Sequence, residues 1–329
     1  MRIGRRDFLT GMGLAGGALG MGTLGPAALG IGEARAEGLP QNIDFIIPYG
    51  PGGGFDQYVH AILPAFQDQL PDSISIRAEN VEGASGAKGA NQLARATPDG
   101  STIAIVNVPG IIIVQLRGGL SFDVGGLTWL CNMGNDPYGL AVPAKSPLKS
   151  IADLRALGRK RPVTFTGVGP AGAAYSATRI GAHLLGFEAE IISGYKGTND
   201  YIVAAVRGDG DATVGSLTAL SQFHDSGMIR VLATFEKHSS IPGAEDATTL
   251  GQPDLAKITQ LRPVAGPPKL PQDIAARLSR YLINAMNDPK VAEWAKANRA
   301  NLQPSDATTT KRLIEEQVAF MNVWKKYIN

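Results

Sequence analysis

The sequence predicts an α/β protein built as two doubly wound α/β lobes joined by a two-segment hinge. Three observations carry that expectation. β-rich and helical segments alternate along most of the chain, and the alternation runs twice, as a mostly parallel sheet with helices on both faces requires. Four strand-to-helix junctions are glycine-rich loops, and two proline-bearing segments flanked by strand-like sequence separate the halves.

The first junction is the most informative: Ile43-Asp-Phe-Ile-Ile-Pro-Tyr-Gly-Pro-Gly-Gly-Gly-Phe-Asp56. Phe45–Ile47 is aromatic and β-branched, as a buried strand wants. Pro48, Pro51 and three consecutive glycines exclude both strand and helix. Beyond Asp56, Tyr58, Ile62 and Phe66 recur every fourth residue and predict a helix. Strand, glycine turn and helix bring backbone N–H groups and a helix N-terminus to one spot, which attracts anions.

Ser73–Arg77 and Ser101–Asn107 then read as strands, with a helix over Gly86–Ala96 between them. The second half repeats the scheme: strands at Val163–Thr166, Ala189–Ile192, Ala212–Val214 and Ile229–Thr234, helices at Ala173–Leu185 and Asn199–Arg207. The last third turns helical. Pro271 starts a helix carrying Ile274, Leu278, Leu282 and Met286 on one face. The final helix bears Leu313, Phe320, Trp324 and Tyr327 on an apolar stripe, read as a face docked onto a lobe. Gly134-Asn-Asp-Pro-Tyr138 and Leu261-Arg-Pro-Val-Ala-Gly-Pro-Pro268 read as crossovers, so the chain passes twice between lobes and makes a hinge. The expected division is 37–138 with 262–329 as the first lobe and 139–261 as the second.

Gly4-Arg-Arg-Asp-Phe-Leu9 is a twin-arginine motif, followed by a weakly apolar Gly/Ala/Leu stretch and Ala34-Arg-Ala36. Together they predict a twin-arginine signal peptide over residues 1–36, cleaved after Ala36, and a periplasmic location. Cleavage would remove Arg2, Arg5, Arg6 and Arg35 along with Asp7 and Glu33, so that 31 basic and 29 acidic side chains become 27 of each. A neutral chain gives no reason to expect nucleic acid as a partner. About 290 residues would remain, enough for two medium domains. The single cysteine, Cys131, rules out an internal disulfide and reads as core packing in Leu127-Thr-Trp-Leu-Cys-Asn-Met133. The histidines, His60, His183, His224 and His238, show no ligand spacing, so neither a metal nor a cofactor is expected.

The other glycine loops are Asn80-Val-Glu-Gly-Ala-Ser-Gly-Ala-Lys-Gly89, Thr166-Gly-Val-Gly-Pro-Ala-Gly-Ala-Ala-Tyr-Ser176 and Ser193-Gly-Tyr-Lys-Gly-Thr198. Any one of them could be a plain tight turn. Four at the carboxyl ends of strands, two from each half, would line a cleft with N–H donors and hydroxyls. An anion could sit there without a formal counter-charge, each helix N-terminus contributing on the order of 0.5–1 kcal/mol. Lys88 reads as a solvated surface lysine.

Pro48-Tyr-Gly-Pro-Gly-Gly-Gly-Phe-Asp56 resembles the first loop of the substrate-binding proteins of tripartite tricarboxylate transporters, the Bug or TctC family. Glu79–Gly89 with Ala94-Arg-Ala-Thr-Pro-Asp-Gly-Ser-Thr102, and Gly194-Tyr-Lys-Gly197 with Arg207-Gly-Asp-Gly-Asp211, resemble later segments in the same order. The resemblance spans nearly all of the chain after Ala36. It implies a periplasmic binding protein of the Venus-flytrap type, not an enzyme, that closes on a small organic carboxylate and delivers it to membrane transporter subunits. The ligand contacts it implies are Tyr49, Gly53, Phe55, Asp56, Ser85, Gly86 and Asn107 from the first lobe. Thr166, Gly169, Ser176, Tyr195 and Lys196 are those implied from the second. Asp56 is a poor direct partner for a carboxylate and is expected instead to cap the helix or order the loop. The chain departs from the family at Ala174-Tyr-Ser176, at Asp246-Ala-Thr-Thr-Leu250 and at Ala212-Thr-Val-Gly-Ser216, so ligand specificity is the least determined feature.

Two other readings stay open on sequence. The same binding fold could signal to a membrane kinase. An exported nucleotide-dependent oxidoreductase would use the first loop for a pyrophosphate and Glu79 for a ribose, but Gly-Pro-Gly-Gly-Gly lacks the Gly-x-Gly-x-x-Gly spacing.

Overall fold

The computed structural model describes residues 38–170, 172–195, 197–298 and 300–328; the proposed signal peptide and Lys196 lie outside them. Asn-Ile-Asp-Phe-Ile-Ile forms β1 (Asn42–Ile47), with Ile43, Phe45, Ile46 and Ile47 fully buried. The glycine loop leads into α1 (Gly54–Gln67), which buries Phe55, Tyr58, Val59, Ile62 and Phe66. Then follow β2 (Ser75–Asn80), α2 (Ala87–Arg95) and β3 (Thr102–Ile105); β2 and β3 both pair parallel with β1. The Ile111–Val114 run has the composition of a strand. It lies instead in the buried helix α3 (Gly110–Leu116), whose first turn closes with Ile111 N–H donating to Asn107 O.

The centre of the molecule is β4 (Thr128–Pro143), sixteen residues long. After it come α4 (Ile151–Gly158), β5 (Val163–Thr166), α5 (Ala173–Leu185), β6 (Ala189–Ile192), α6 (Thr198–Arg207), β7 (Ala212–Ser216), α7 (Leu217–Asp225) and β8 (Ile229–Thr234). The chain returns through β9 (Thr259–Gly266), α8 (Gln272–Met286), α9 (Pro289–Ala297), β10 (Leu302–Ser305) and α10 (Ala307–Val323). The strand order is β2-β1-β3-β9-β4-β7-β5-β6, with β8 and β10 also paired to β4. β4 pairs antiparallel with β9 from Thr128 to Pro137 and with β7 and β8 from Tyr138 onward. One strand therefore belongs to two sheets, each with its own helices, which is the two-lobed α/β architecture expected.

The proline segments take a form the sequence did not suggest. They are partners in one antiparallel pair, Asn132 opposite Pro263, Asn135 opposite Leu261 and Pro137 opposite Thr259, with the register shifting between Asn132 and Asn135. Proline cannot donate to a ladder and is tolerated where pairing is irregular. The Pro263 carbonyl still accepts from Val106 N–H at 2.7 Å.

Helix α8 buries Ile274, Leu278, Leu282 and Met286. After α10, Trp324 and Tyr327 pack on His183 of α5, where the Tyr327 hydroxyl and His183 Nε2 are 3.0 Å apart. Among the described residues no helix is long and apolar enough to cross a membrane.

Close approach explains Gly134. A Cβ there would collide with the Asn301 carbonyl oxygen, where the chain enters β10. Gly134→Ala is expected to lower unfolding free energy by about 1–3 kcal/mol, read from the denaturant midpoint at unchanged slope; wild-type stability would refute the close-contact account.

Candidate functional site

The first glycine loop is held from inside. Gly52 adopts φ +77°, a conformation glycine reaches without strain. Its N–H donates to Asp56 Oδ2 at 2.8 Å, while Asp56 Oδ1 accepts from Asn80 Nδ2 at 2.8 Å. Asn80 Nδ2 also donates to the Tyr49 carbonyl at 3.0 Å, and His60 Nε2 lies 3.4 Å from Asp56 Oδ1. Burial pushes the Asp56 pKa up, but the Asn80 amide, the Gly52 N–H and His60 outweigh it and hold the carboxyl below its ordinary value. With Asp56 tied to the loop, Gly53 caps α1 without a side chain. The N–H groups of the first turn, which no helix can satisfy internally, remain there for an acceptor.

The second loop is wound in the left-handed region over four consecutive residues: Gly83, Ala84, Ser85 and Gly86 have φ of 137°, 48°, 55° and 93°. Two non-glycine residues in that region store strain, and the turn closes on itself, Gly86 N–H donating to Gly83 O at 3.0 Å. A Cβ on Gly86 would meet the Tyr49 hydroxyl oxygen at 3.1 Å, so the phenol lies flat against this loop. Its hydroxyl donates to Ser85 O at 3.4 Å and accepts from Asn107 Nδ2 at 2.9 Å. Burial pushes the Tyr49 pKa up to about 12, the Asn107 bond opposing it. Phe55 stacks on Tyr49 at 4.9 Å between ring centres. Tyr49, Ser85, Gly86 and Asn107 line a small cavity floored by Ala90, Val106 and Ile111.

The structure thus brings seven residues expected from sequence together: Tyr49, Gly53, Phe55, Asp56, Ser85, Gly86 and Asn107. The second-half residues are placed differently. Thr166 is fully buried and donates its hydroxyl to Tyr201 O at 2.6 Å. Ser176 is fully buried in α5 with no partner for Oγ among the described residues. Gly169 faces open space. The half-buried Tyr195 donates to Asp209 Oδ2 at 3.0 Å, beside the Arg207–Asp209 ion pair.

Sequence reading missed the groups on the paired strands. Tyr138 of β4 is buried, which pushes its phenol pKa well up, with Tyr201 and Asp136 adding to the rise. Asp136 on β4 and Arg262 on β9 are 1% and 5% exposed and form an ion pair at 3.2 Å. The available signal was charge inside otherwise apolar strands, which burial permits only in pairs. Cys131 is buried on β4, and burial raises its thiol pKa far from any nucleophilic range. Among the described residues no cluster of His, Cys, Asp and Glu could hold a metal.

Two sheets sharing one strand, with glycine loops at their strand ends, define a two-lobed solute-binding protein. The sequence profile described as tripartite tricarboxylate transporter family receptor matches residues 65–329, and the chain belongs to that family. It is 27% identical over 246 residues to a UPF0065 protein in the gbd 5' region of Cupriavidus necator, covering 72% of this chain and 71% of that one. It is 24% identical over 288 residues to protein BugT of Bordetella pertussis, covering 84% and 86%. Among solved structures, MatC of Rhodopseudomonas palustris with bound malate superposes with a TM-score of 0.71 at 17% identity over 88% of this chain and 99% of MatC. A second R. palustris protein, solved with adipate, gives 0.67 at 18% over 87% and 97%. Family and fold together support an extracytoplasmic solute-binding role.

Asp56→Asn should lower stability at neutral pH by about 1–3 kcal/mol, the worth of hydrogen bonds to a charged acceptor. Because the folded pKa is depressed, the carboxylate's contribution is present above its unfolded value of 3.8 and is lost as pH falls through the folded one. The two unfolding curves should therefore converge in acid; a gap undiminished at about pH 2 would contradict it.

Proposed function

We propose that this protein captures a small organic carboxylate between two lobes, 37–138 with 262–329 and 139–261, and delivers it to membrane subunits of a tripartite tricarboxylate-type transporter. It works in the periplasm after export by the twin-arginine route and cleavage after Ala36. The observation that carries the reading is the inward tether of Asp56. The one acid in the glycine loop is spent on the loop's own N–H, and the N–H groups of the first turn of α1 are left for an anion. Relatives in fold that hold malate and adipate make dicarboxylates the first class to test.

Closure follows from the strand plan. The two halves meet through β4, and a ligand touching both completes its contacts only when they approach, so binding shifts an open–closed equilibrium.

The exported chain, its start at Glu37 checked by N-terminal sequencing, should bind a member of a di-, tri- and aromatic carboxylate panel in isothermal titration. No binding tighter than about millimolar, roughly −4 kcal/mol, would overturn the proposal. In Gly53→Val the added carbons should abolish binding while the fold survives, since a Cβ there meets only Gly50 O at 3.5 Å and φ is −76°; wild-type affinity would clear the first loop of any ligand role. The Glu82 carboxylate, exposed on the second loop, lies where a Cβ of Gly50 would be. It opposes an anion at the same loop, so Glu82→Gln should tighten carboxylate binding by about twofold to fivefold, the reach of an exposed charge. Weaker binding in that variant would mean that Glu82 contacts the ligand favourably.

A further inference from the structure

Arg262 is the most heavily engaged side chain outside the loops, and its engagement is one-sided. Nη2 reaches Asp136 Oδ2 at 3.2 Å and Gln260 Oε1 at 3.3 Å, whereas Nε and Nη1 are buried without a hydrogen-bond acceptor. What covers them is aromatic: the guanidinium carbon lies 4.5 Å from the centre of the Tyr58 ring and 5.3 Å from that of Phe55. Both rings belong to α1, Phe55 to its first turn. Nη2 also lies beside Gly54, the first residue of that helix, 3.8 Å from where a Cβ would stand, an ordinary contact.

From this cation the contacts run outward in three directions. Phe55 stacks on Tyr49, while Tyr58 meets Trp294 edge-on at 5.2 Å. Gln260 Nε2 donates to Asn107 Oδ1 at 3.4 Å, and Asn107 donates to the Tyr49 hydroxyl. Asp136 Oδ1 accepts from Thr218 N–H at 3.2 Å, in the first turn of α7. Tyr49 is therefore held from both sides by one buried charge, through a ring stack and through two amides. The same charge reaches the second half of the chain.

We infer that Arg262 is the positioning residue of the first glycine loop: anchored to Asp136 on the shared strand pair, it fixes the angle at which α1 presents its N-terminus and the place of the Tyr49 phenol. Stability alone gives a weak reason for such a pair, because two buried charges are often replaceable by apolar groups without loss. Orientation gives a stronger one. A planar guanidinium stacks between rings as an ammonium cannot. That the loop so positioned is a ligand wall rests on the function proposed above; that Arg262 positions it does not.

Hydrogen–deuterium exchange of the purified, unliganded protein tests it without a ligand. Arg262→Lys keeps the charge and loses the flat stack. Amides of 49–57 should then exchange about tenfold faster, while those of β9 at 259–266 hold their wild-type rates. Arg262→Met with Asp136→Leu removes both charges together. It should recover thermal stability but leave 49–57 fast, a separation that a merely structural pair would not show. Wild-type exchange at 49–57 in either variant overturns the inference, and so does acceleration spread evenly through β4 and β9. If the double variant does not fold, Arg262→Lys decides alone. Malate and adipate titrations of the same proteins keep the two claims apart. Absent binding of these two and of the rest of the carboxylate panel in the wild type fails the carboxylate reading only, and unchanged loop exchange in Arg262→Lys fails this one only.

Discussion

The antiparallel pairing of β4 with β9 is the constraint on which the rest of the molecule depends. A sixteen-residue strand spans more than one sheet can use, and here its first part serves one set of neighbours and its last part another. The return strand β9 lies beside it, so the two passages between halves are hydrogen-bonded to each other rather than independent tethers. A hinge of this kind twists more readily than it splays. Bending about the strand pair keeps the ladder; separating the strands would break it and expose Asn132, Asp136 and Arg262, all now buried.

An anion site with few cations near it needs another source of potential. On the proposed function it comes from geometry, the N–H groups of the first turn of α1 standing beside the second glycine loop. Strain at Ala84 and Ser85 is tolerated because the surroundings over-determine those conformations, with Tyr49 lying across Gly86 and hydrogen-bonded to Ser85 O. The acids nearby play opposite parts. Asp56, depressed in pKa by the groups it accepts from, stiffens the donor array, whereas Glu82 is left free to repel what the array attracts.

Much of this was legible in the chain. Where a strand or helix is bounded by glycine or charge and carries a clean period, as at Val163–Thr166, Ala173–Leu185, Ala189–Ile192 and Ile229–Thr234, the expected and observed spans coincide. The glycine loop at the end of β1 was also readable as a loop, because Pro48, Pro51 and three consecutive glycines fit neither strand nor helix. The proline segments, read as crossovers, lie within β4 and β9 themselves, which the sequence did not show to be strands. The register shifts between Asn132, opposite Pro263, and Asn135, whereas Pro137 keeps its register opposite Thr259, and both strands run on. Ile111–Val114 shows the limit of composition, since this β-branched run forms the buried helix α3. Arg262 was out of reach because its meaning depends on Asp136, 126 residues away.

The two halves of the proposed cleft are not built alike, and the difference bears on what can be recognised. Side chains of the first half are fixed by one another and aimed at a common spot. In the second half Thr166 spends its hydroxyl on the Tyr201 carbonyl, Ser176 is sealed inside α5, and Tyr195 is turned to Asp209. What stays open there is glycine backbone at Gly169, with space where a side chain would stand. Backbone N–H groups hold a carboxylate without asking what carries it, since they meet only the oxygens. On the proposed function, the first wall combines the N–H groups of α1 with the shape and polarity of Tyr49, Phe55 and Asn107, so discrimination between ligands belongs there, and the second wall adds only backbone. That places specificity on the loop whose geometry is set from beneath by a buried arginine, so a change at Arg262 would alter which carboxylate fits before it altered whether one binds at all.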